Sequence, residues 1–361
     1  MTEGDPKTRW EAPEWLAEAR EWIAGAARTE KVTAYYAGEV TPTGPAEQIH
    51  ARAWSTVLRV PTDRGSLFFK ANMPLLKGEA ALCQAIYRAR PDAVLPVLAA
   101  DRERGWMLVP DGGPTLRSFL NTEADLMHAE ALVKLLAGLQ IDLSSHVDTL
   151  LDLVPFDRRL ERLPDLFEAL LEDREAFLIG TEDGLSAAEY EQLRALAPRY
   201  RDLCERLAAY GIPYSLHHDD FHDANVFTGA PGKDGDLGAV RSSGKLRIAD
   251  WAESAVAHPF QTMLICLRAL ADRAGFPDAA TDVPEQMHPA LARLRDLYLE
   301  PWERYAPRAR LVEAFNLAWR VGMVNRALTW RAVNQALEPP FGARGAYAVP
   351  GWLGEFLRLV G

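Results

Sequence analysis

The stretch Leu216-His217-His218-Asp219-Asp220-Phe221-His222-Asp223-Ala224-Asn225 constrains this chain more than any other. Ile248-Ala249-Asp250-Trp251 follows it after a Gly-rich connection. Together they supply a carboxylate (Asp220), an amide on the same loop (Asn225) and a second carboxylate (Asp250) at the end of a short apolar segment. Phosphoryl transfer from a magnesium nucleotide uses such a set. One carboxylate orients and deprotonates the acceptor hydroxyl, while an amide oxygen and another carboxylate hold the metal ions that bridge the phosphates. Read alone, the first element is also a polar turn, because Asp and Asn favour turns, and Asp250 is equally a turn starter.

Partners lie upstream. Lys70 sits inside the apolar run Leu67-Phe68-Phe69-Lys70-Ala71, where an ammonium needs a partner or a path to solvent. Glu79 opens the helix predicted over 78–90. A strand Lys paired to a helix Glu, with the ammonium reaching nucleotide phosphates, is the protein-kinase arrangement. The plainer reading is an edge-strand Lys and a first-turn Glu favoured by the helix dipole. Trp106-Met107-Leu108-Val109-Pro110-Asp111 reads as a strand running into a linker. The chain order is therefore Lys70, Glu79, a hinge at 107–112, Asp220, Asn225, Asp250.

The surrounding pattern predicts an α+β chain with two lobes. Residues 1–30 hold an amphipathic helix, with Trp10, Trp15, Leu16, Ala19, Trp22, Ile23 and Ala26 at helical spacing. Residues 31–110 form a small antiparallel sheet with one inserted helix. Strands are expected at Thr33–Val40, Ser55–Val60, Ser66–Ala71, Val94–Ala100 and Trp106–Val109, with a turn over Pro61–Gly65. Pro110-Asp111-Gly112-Gly113-Pro114 is a composition break, and 111–361 is the helical lobe. Helices are predicted over 115–121, 124–143, 155–178, 186–209, 259–274, 286–303, 308–336 and 351–359. Ser186-Ala187-Ala188-Glu189 forms a capping box. Short strands are expected within 214–250, and Gly229–Gly244 reads as a loop.

At this point the sequence resembles the aminoglycoside phosphotransferase and choline kinase-like family of small-molecule kinases. The family signature is His-Gly-Asp-Leu/Phe-His-x-x-Asn, then Ile-x-Asp-Trp/Phe. This chain reads His218-Asp219-Asp220-Phe221-His222-Asp223-Ala224-Asn225, then Ile248-Ala249-Asp250-Trp251, and the resemblance spans roughly residues 30 to 335. It implies a bilobal protein-kinase-like fold, with Mg²⁺ and ATP (or GTP) in the cleft. It makes Asp220 the catalytic base and Asn225 and Asp250 the metal ligands. Lys70 would contact phosphate, positioned by Glu79, and Met107, Val109 and Asp111 would belong to the adenine-contacting hinge. Ala53-Trp54-Ser55-Thr56 would lie at the phosphate-covering loop. His218 and His222 would brace the catalytic loop. The chain departs from the pattern in three places. No Gly-rich loop precedes Val57, which leaves the Ser55 and Thr56 hydroxyls and backbone N–H groups to cover phosphate. Asp219 replaces the usual Gly, and the span from Asn225 to Asp250 is long.

Lys and Arg total 40 against 51 Asp and Glu, a net charge of 40 − 51 = −11. That excess argues against sequence-independent nucleic-acid binding, which rests on Lys and Arg against phosphate. The expected acceptor is a small hydroxylated molecule, cationic or sugar-like. Asp219, Glu253, Trp319, Arg320, Asn325 and Trp330 are its candidate contacts on pattern alone. Cys83, Cys204 and Cys266 are scattered in apolar helical contexts and read as buried free thiols. The polar start Met1-Thr2-Glu3-Gly4-Asp5 lacks a signal-peptide pattern and no apolar run reaches spanning length, so no membrane partner and a cytoplasmic location are expected. Two other readings stand beside this one. One is a metallohydrolase using the His217–His222 cluster. The other is a non-catalytic kinase-like nucleotide-binding module.

Overall fold

The structure is a computed structural model that describes residues 9–229, 246–337 and 347–361. The expected loop at 229–244 falls outside them beyond Gly229, as does the Met1–Asp5 segment.

Five antiparallel strands form the first sheet: β1 (Glu47–Ala51), β2 (Ser55–Thr62), β3 (Gly65–Asn72), β4 (Ala99–Asp101) and β5 (Trp106–Pro110), in the order β1-β2-β3-β5-β4. Strand alternation gives the sheet two different faces. Leu58, Phe69 and Leu108 are register partners, and all three are fully buried. They face helix α1 (Pro13–Ala26), whose Trp22 packs on Phe69 at 5.6 Å and on Trp106 at 5.8 Å between ring centroids. The neighbouring row runs His50, Val57, Lys70, Met107 and Ala100 across all five strands. This row faces the other lobe, so Lys70 reaches the cleft because its strand neighbours Phe69 and Ala71 point the opposite way.

The expected strand at Thr33–Val40 is instead helix α2 (Glu30–Tyr36), closed by Ala37 in the left-handed region at φ 52°. The β-branched and aromatic residues there suggest a strand, but a helical turn buries Val32 and packs half-buried Tyr36 against the same core, while the Tyr35 and Tyr36 rings meet edge-on at 4.9 Å. The sheet edge is supplied by β1, whose polar sequence Glu-Gln-Ile-His-Ala carries little strand signal. Of Val94–Ala100, only the last two residues join a strand.

Helix α3 (Glu79–Ala89) packs beside the sheet, and the chain then crosses between lobes at 111–114. Gly112 is pressed against Phe227, where an added Cβ would lie 2.4 Å from the ring Cγ. Gly229 N–H donates to Gly112 O at 3.1 Å, and Thr228 N–H donates to Pro114 O at 2.9 Å. The crossing is thus laced to the helical lobe. Gly112→Ala is expected to cost about 1–3 kcal/mol through overpacking, read as a lower denaturant midpoint with unchanged slope.

The helical lobe is built on one large apolar cluster. Its longest element is the helix Arg308–Ala336, which packs against the helix Ala348–Val360. The capping box at Ser186 forms, with its side chain accepting from Glu189 N–H at 3.2 Å. The continuous helix expected over 155–178 is divided. Strand β6 (Phe156–Arg158) comes first, then a helix Leu163–Leu171, then a short 3-10 turn at Arg174–Phe177. Pro164 explains the late start, since proline fits the first helical turn and breaks an interior. Strands β7 (Ser215–His217), β8 (Val226–Phe227), β9 (Arg247–Ile248) and β10 (Ala255–Ala257) complete the lobe. β10 lies between β6 and β7, and β8 pairs with β9. The two motif loops are therefore brought side by side: 218–225 leaves β7, and 249–254 runs from β9 into β10, the strand paired with β7. Among the described residues no helix is long and apolar enough to cross a membrane. Cys83, Cys204 and Cys266 are buried free thiols.

Candidate active site

The cleft is organised around Lys70 and Glu79. Lys70 Nζ lies 2.7 and 2.9 Å from the two Glu79 oxygens and 2.5 Å from Asp250 Oδ1. Burial works to discharge the ammonium, but Asp250 and then Glu79 outweigh it and hold its pKa above the ordinary lysine value. Glu79 is 2% exposed and also accepts from Asn72 Nδ2 at 2.6 Å and from Trp251 N–H at 2.9 Å. One carboxylate on α3 therefore joins β3 of the small lobe to the Asp250 loop of the large one.

The two motif loops are stitched to each other. His218 is buried, packs on the Trp251 ring at 4.6 Å and hydrogen-bonds Ala249 O through Nε2 at 2.9 Å. Burial lowers its pKa to about 4, so the ring is neutral and Nε2–H is the donor. Ala249 N–H donates back to Asn225 O at 2.8 Å. Asp250 follows with φ 63°, in the left-handed region that Asp tolerates better than most residues. Its side chain is half-exposed into the cleft.

Within the first loop, Asn225 Nδ2 donates to Asp220 O at 2.9 Å, which leaves the amide oxygen as the group that can accept a cation. His222 Nδ1 accepts from Ala224 N–H at 3.1 Å, so Nε2 carries the proton and faces Asp220 Oδ2 at 3.4 Å. Asp220 Oδ1 is held by Arg326 Nη2 at 2.8 Å. Burial would raise the Asp220 pKa, but Arg326 and then His222 hold it well below the usual carboxylate range. Arg117 grips the buried Asp223 through two bonds of 2.9 and 3.0 Å, fixing the base of the loop.

Asp250 and Asn225 offer two hard oxygens, one charged and one neutral. Mg²⁺ is commonly bound by one or two carboxylates together with substrate phosphates and water, so these residues fit it. The His217–His222 cluster does not converge in the same way. His217 is spent on Thr262 Oγ1 at 2.8 Å and Asp219 Oδ1 at 2.9 Å, and His218 on a backbone carbonyl. Among the described residues no three His, Cys, Asp or Glu side chains gather as a metal-binding group.

Several expected contacts lie elsewhere. Thr56 shares the sheet face of Leu58, and its hydroxyl is occupied by His50 O at 2.7 Å and Gln48 Nε2 at 2.9 Å, so it points away from the cleft. Ser55 is on the cleft face opposite Asn72, though buried. Met107 is a buried strand residue opposite Lys70. Val109 is half-buried near the end of β5, and the exposed Asp111 accepts from Gly113 N–H at 2.8 Å in the crossing. Trp319 is 1% exposed in the core. Arg320 is paired to Glu285 by two bonds of 2.9 Å, and the buried Asn325 donates to Gln261 at 2.9 Å. Asp219, at 3% exposure, is turned toward His217 and Arg326 and is not presented to an acceptor.

The residue that sequence reasoning missed is Arg326, on the long helix between Asn325 and Trp330. It is buried among three carboxylates: Asp219 at 2.7 Å, Asp220 at 2.8 Å and Glu253 at 2.9 Å. A signal was present, since adjacent Asp219 and Asp220 demand a cation if buried. Arg326 also stands at helical spacing from Trp319 and Trp330. His50 and Asn72 were missed as well, since nothing local marks which strand face meets the cleft.

Glu253 is pushed up from 4.5 to about 8, first by burial, then by Asp220, Asp219 and Asp250, with Arg326 opposing. The folded protein therefore holds a proton that the unfolded chain releases above pH 4.5. Its stabilising contribution is full below that pH and is lost as pH rises through about 8. Between pH 5 and 8.5 the wild type should lose on the order of 3 kcal/mol more than Glu253→Gln, measured by urea unfolding across the range.

No family model matches the chain, and no curated protein matches it in sequence. Solved structures do. A choline kinase from Cryptosporidium parvum Iowa II superposes with a TM-score of 0.58 at 13% identity, covering 94% of this chain and 94% of that one. The chain has the bilobal kinase-like fold. A macrolide 2'-phosphotransferase type I gives 0.55 at 13% identity, with 95% and 97% covered. Amicoumacin kinase hAmiN, in complex with AMP-PNP, Ca²⁺ and Ami, gives 0.51 at 14% identity, with 93% and 96% covered. These are small-molecule kinases and phosphotransferases, the group that the motif resembles.

Proposed function

We propose that this protein transfers the terminal phosphoryl group of MgATP (or MgGTP) to a hydroxyl of a small molecule. The observation that carries the reading is the three-way contact of Lys70 with Glu79 and Asp250, beside a loop presenting Asp220 and Asn225. The nucleotide-bound kinase in the same fold supports it.

In this reading Lys70 neutralises non-bridging phosphate oxygens, and Glu79 keeps its ammonium in place. Asn225 and Asp250 hold Mg²⁺, which supplies charge neutralisation for the phosphates. Asp220 presents Oδ2, the oxygen not engaged by Arg326, to the acceptor hydroxyl. With its pKa held low, Asp220 orients the hydroxyl and takes the proton late, as suits a loose transition state with little charge on the attacking oxygen. Val109 to Asp111 border the adenine site. Asp219 and Asp220 set two negative charges against the one guanidinium of Arg326, while Glu253 stays protonated up to about pH 8, so the wall beside Asp220 remains acidic and favours an acceptor bearing an amine.

The test is ADP formation from MgATP over a panel of hydroxylated amines and sugars, with Asp220→Asn as the blank. Acceptor-dependent ADP and a phosphorylated product by mass spectrometry are expected. Equal turnover by the Asn variant, or no product despite nucleotide binding, would contradict the proposal.

A further inference from the structure

Arg326 reaches the motif loop from the C-terminal half of the chain and meets it at its most sensitive point. Nη1 bonds Asp219 Oδ2 at 2.7 Å and Glu253 Oε2 at 2.9 Å, and Nη2 bonds Asp220 Oδ1 at 2.8 Å. The guanidinium carbon lies 5.3 Å from the Trp330 ring centroid, one helical turn along. Trp330 in turn meets Trp54 edge-on at 5.4 Å. Trp54 stands at the tip between β1 and β2, and its carbonyl accepts from Met73 N–H at 2.8 Å. A continuous set of contacts thus runs from the hairpin tip over the cleft to the carboxylate on the opposite lobe.

We propose that Arg326 is a positioning residue for phosphoryl transfer: it fixes Asp220 by one oxygen, and the Trp54–Trp330 contact ties that orientation to the seating of the β1–β2 hairpin. The proposal rests on the phosphotransferase reading for its kinetic part, but its geometric part does not. Two features set Arg326 apart from a merely structural ion pair. It holds Asp220 together with Asp219 and Glu253 through a planar fork, an arrangement that a lysine ammonium cannot reproduce. It also leaves Asp220 Oδ2 as the oxygen turned toward His222 rather than locking both. Asp219, standing where the resembling family has Gly, gives the guanidinium a second anchor on the same loop.

The tests use Arg326→Lys, which keeps the buried charge, with Arg326→Met, Trp54→Ala and Trp330→Ala beside it. MgATP affinity is read by calorimetry and turnover as ADP formation with water or an acceptor from the panel. Arg326→Lys should bind MgATP within about threefold of wild type while turnover falls about 10- to 100-fold, a loss in kcat rather than KM. Trp54→Ala and Trp330→Ala should each lower turnover about tenfold, and Trp54→Ala should add little on the Arg326→Lys background, because contacts in one network do not add. The second readout needs no activity. Crystal structures of Arg326→Lys should show the fold kept and the Asp220 carboxylate rotated from its wild-type rotamer. An unmoved Asp220, or unchanged kcat, would overturn the proposal. Should Arg326→Met fail to fold, the Lys variant still decides. A wild type that does not bind MgATP would sink the phosphotransferase reading alone and leave the Asp220 rotamer to judge Arg326.

Discussion

Asp220→Asn should reduce phosphoryl transfer by about 10²–10⁴-fold, the range for loss of a positioned general base, while MgATP affinity stays within about threefold. The split follows from where the side chain sits. Asp220 makes no contact with Lys70 or Glu79, the residues that would grip phosphate, and its bonds run to Arg326, to His222 and, through its carbonyl, to Asn225. An Asn side chain keeps the shape and can still offer an oxygen to Arg326. It lacks the charge that attracts the hydroxyl proton. Single-turnover assays separate the chemical step from binding. A loss confined to nucleotide affinity would move Asp220 out of the role assigned to it.

The second large effect falls on Glu79. Glu79→Ala should destabilise the protein by about 3–5 kcal/mol, because removing one member of a buried ion pair strands the other. Here three donors lose their acceptor together: the Lys70 ammonium, Asn72 Nδ2 and Trp251 N–H. The change also releases Lys70 toward Asp250 alone and frees the Asp250 loop from α3, so MgATP binding should weaken along with stability. Glu79→Gln, whose single amide oxygen can still accept from Lys70 and from Trp251 N–H, should cost less than half as much. Urea unfolding of both variants checks this. Near-wild-type stability in Glu79→Ala would mean that the junction between the lobes is held by something else.

Much of this site is legible in the sequence because its chemistry is concentrated in short loops. His218 to Asn225 and Ile248 to Trp251 carry their types and spacings openly, and an apolar strand with one lysine announces Lys70. The β2–β3 hairpin, helix α3 and the helix Arg308–Ala336 also follow from local pattern. What sequence reading missed is tertiary. Arg326 is marked only indirectly, by its helical spacing from Trp319 and Trp330 and by two adjacent aspartates that need a cation once buried. An arginine in a long helix reads as surface until the fold turns it toward them. Thr56 and Ser55 differ in outcome only by strand parity, which depends on the face that α1 covers. The Thr33–Val40 segment misled because β-branched and aromatic residues suit a strand, while the short helix Glu30–Tyr36 is anchored by buried Val32, just before that segment, and by Tyr36 packed on the same core.

The central claim is that Lys70, Asn225 and Asp250, with Asp220 beside them, surround one metal–triphosphate group. Calorimetric titration of ATP into wild type and Asp250→Ala, each with and without Mg²⁺, tests it most directly. The expected result is binding by wild type that weakens at least about tenfold without Mg²⁺, and an Asp250→Ala protein that folds but shows no Mg²⁺ dependence. Equal, Mg²⁺-dependent ATP binding by the two proteins, or none by wild type, would contradict it.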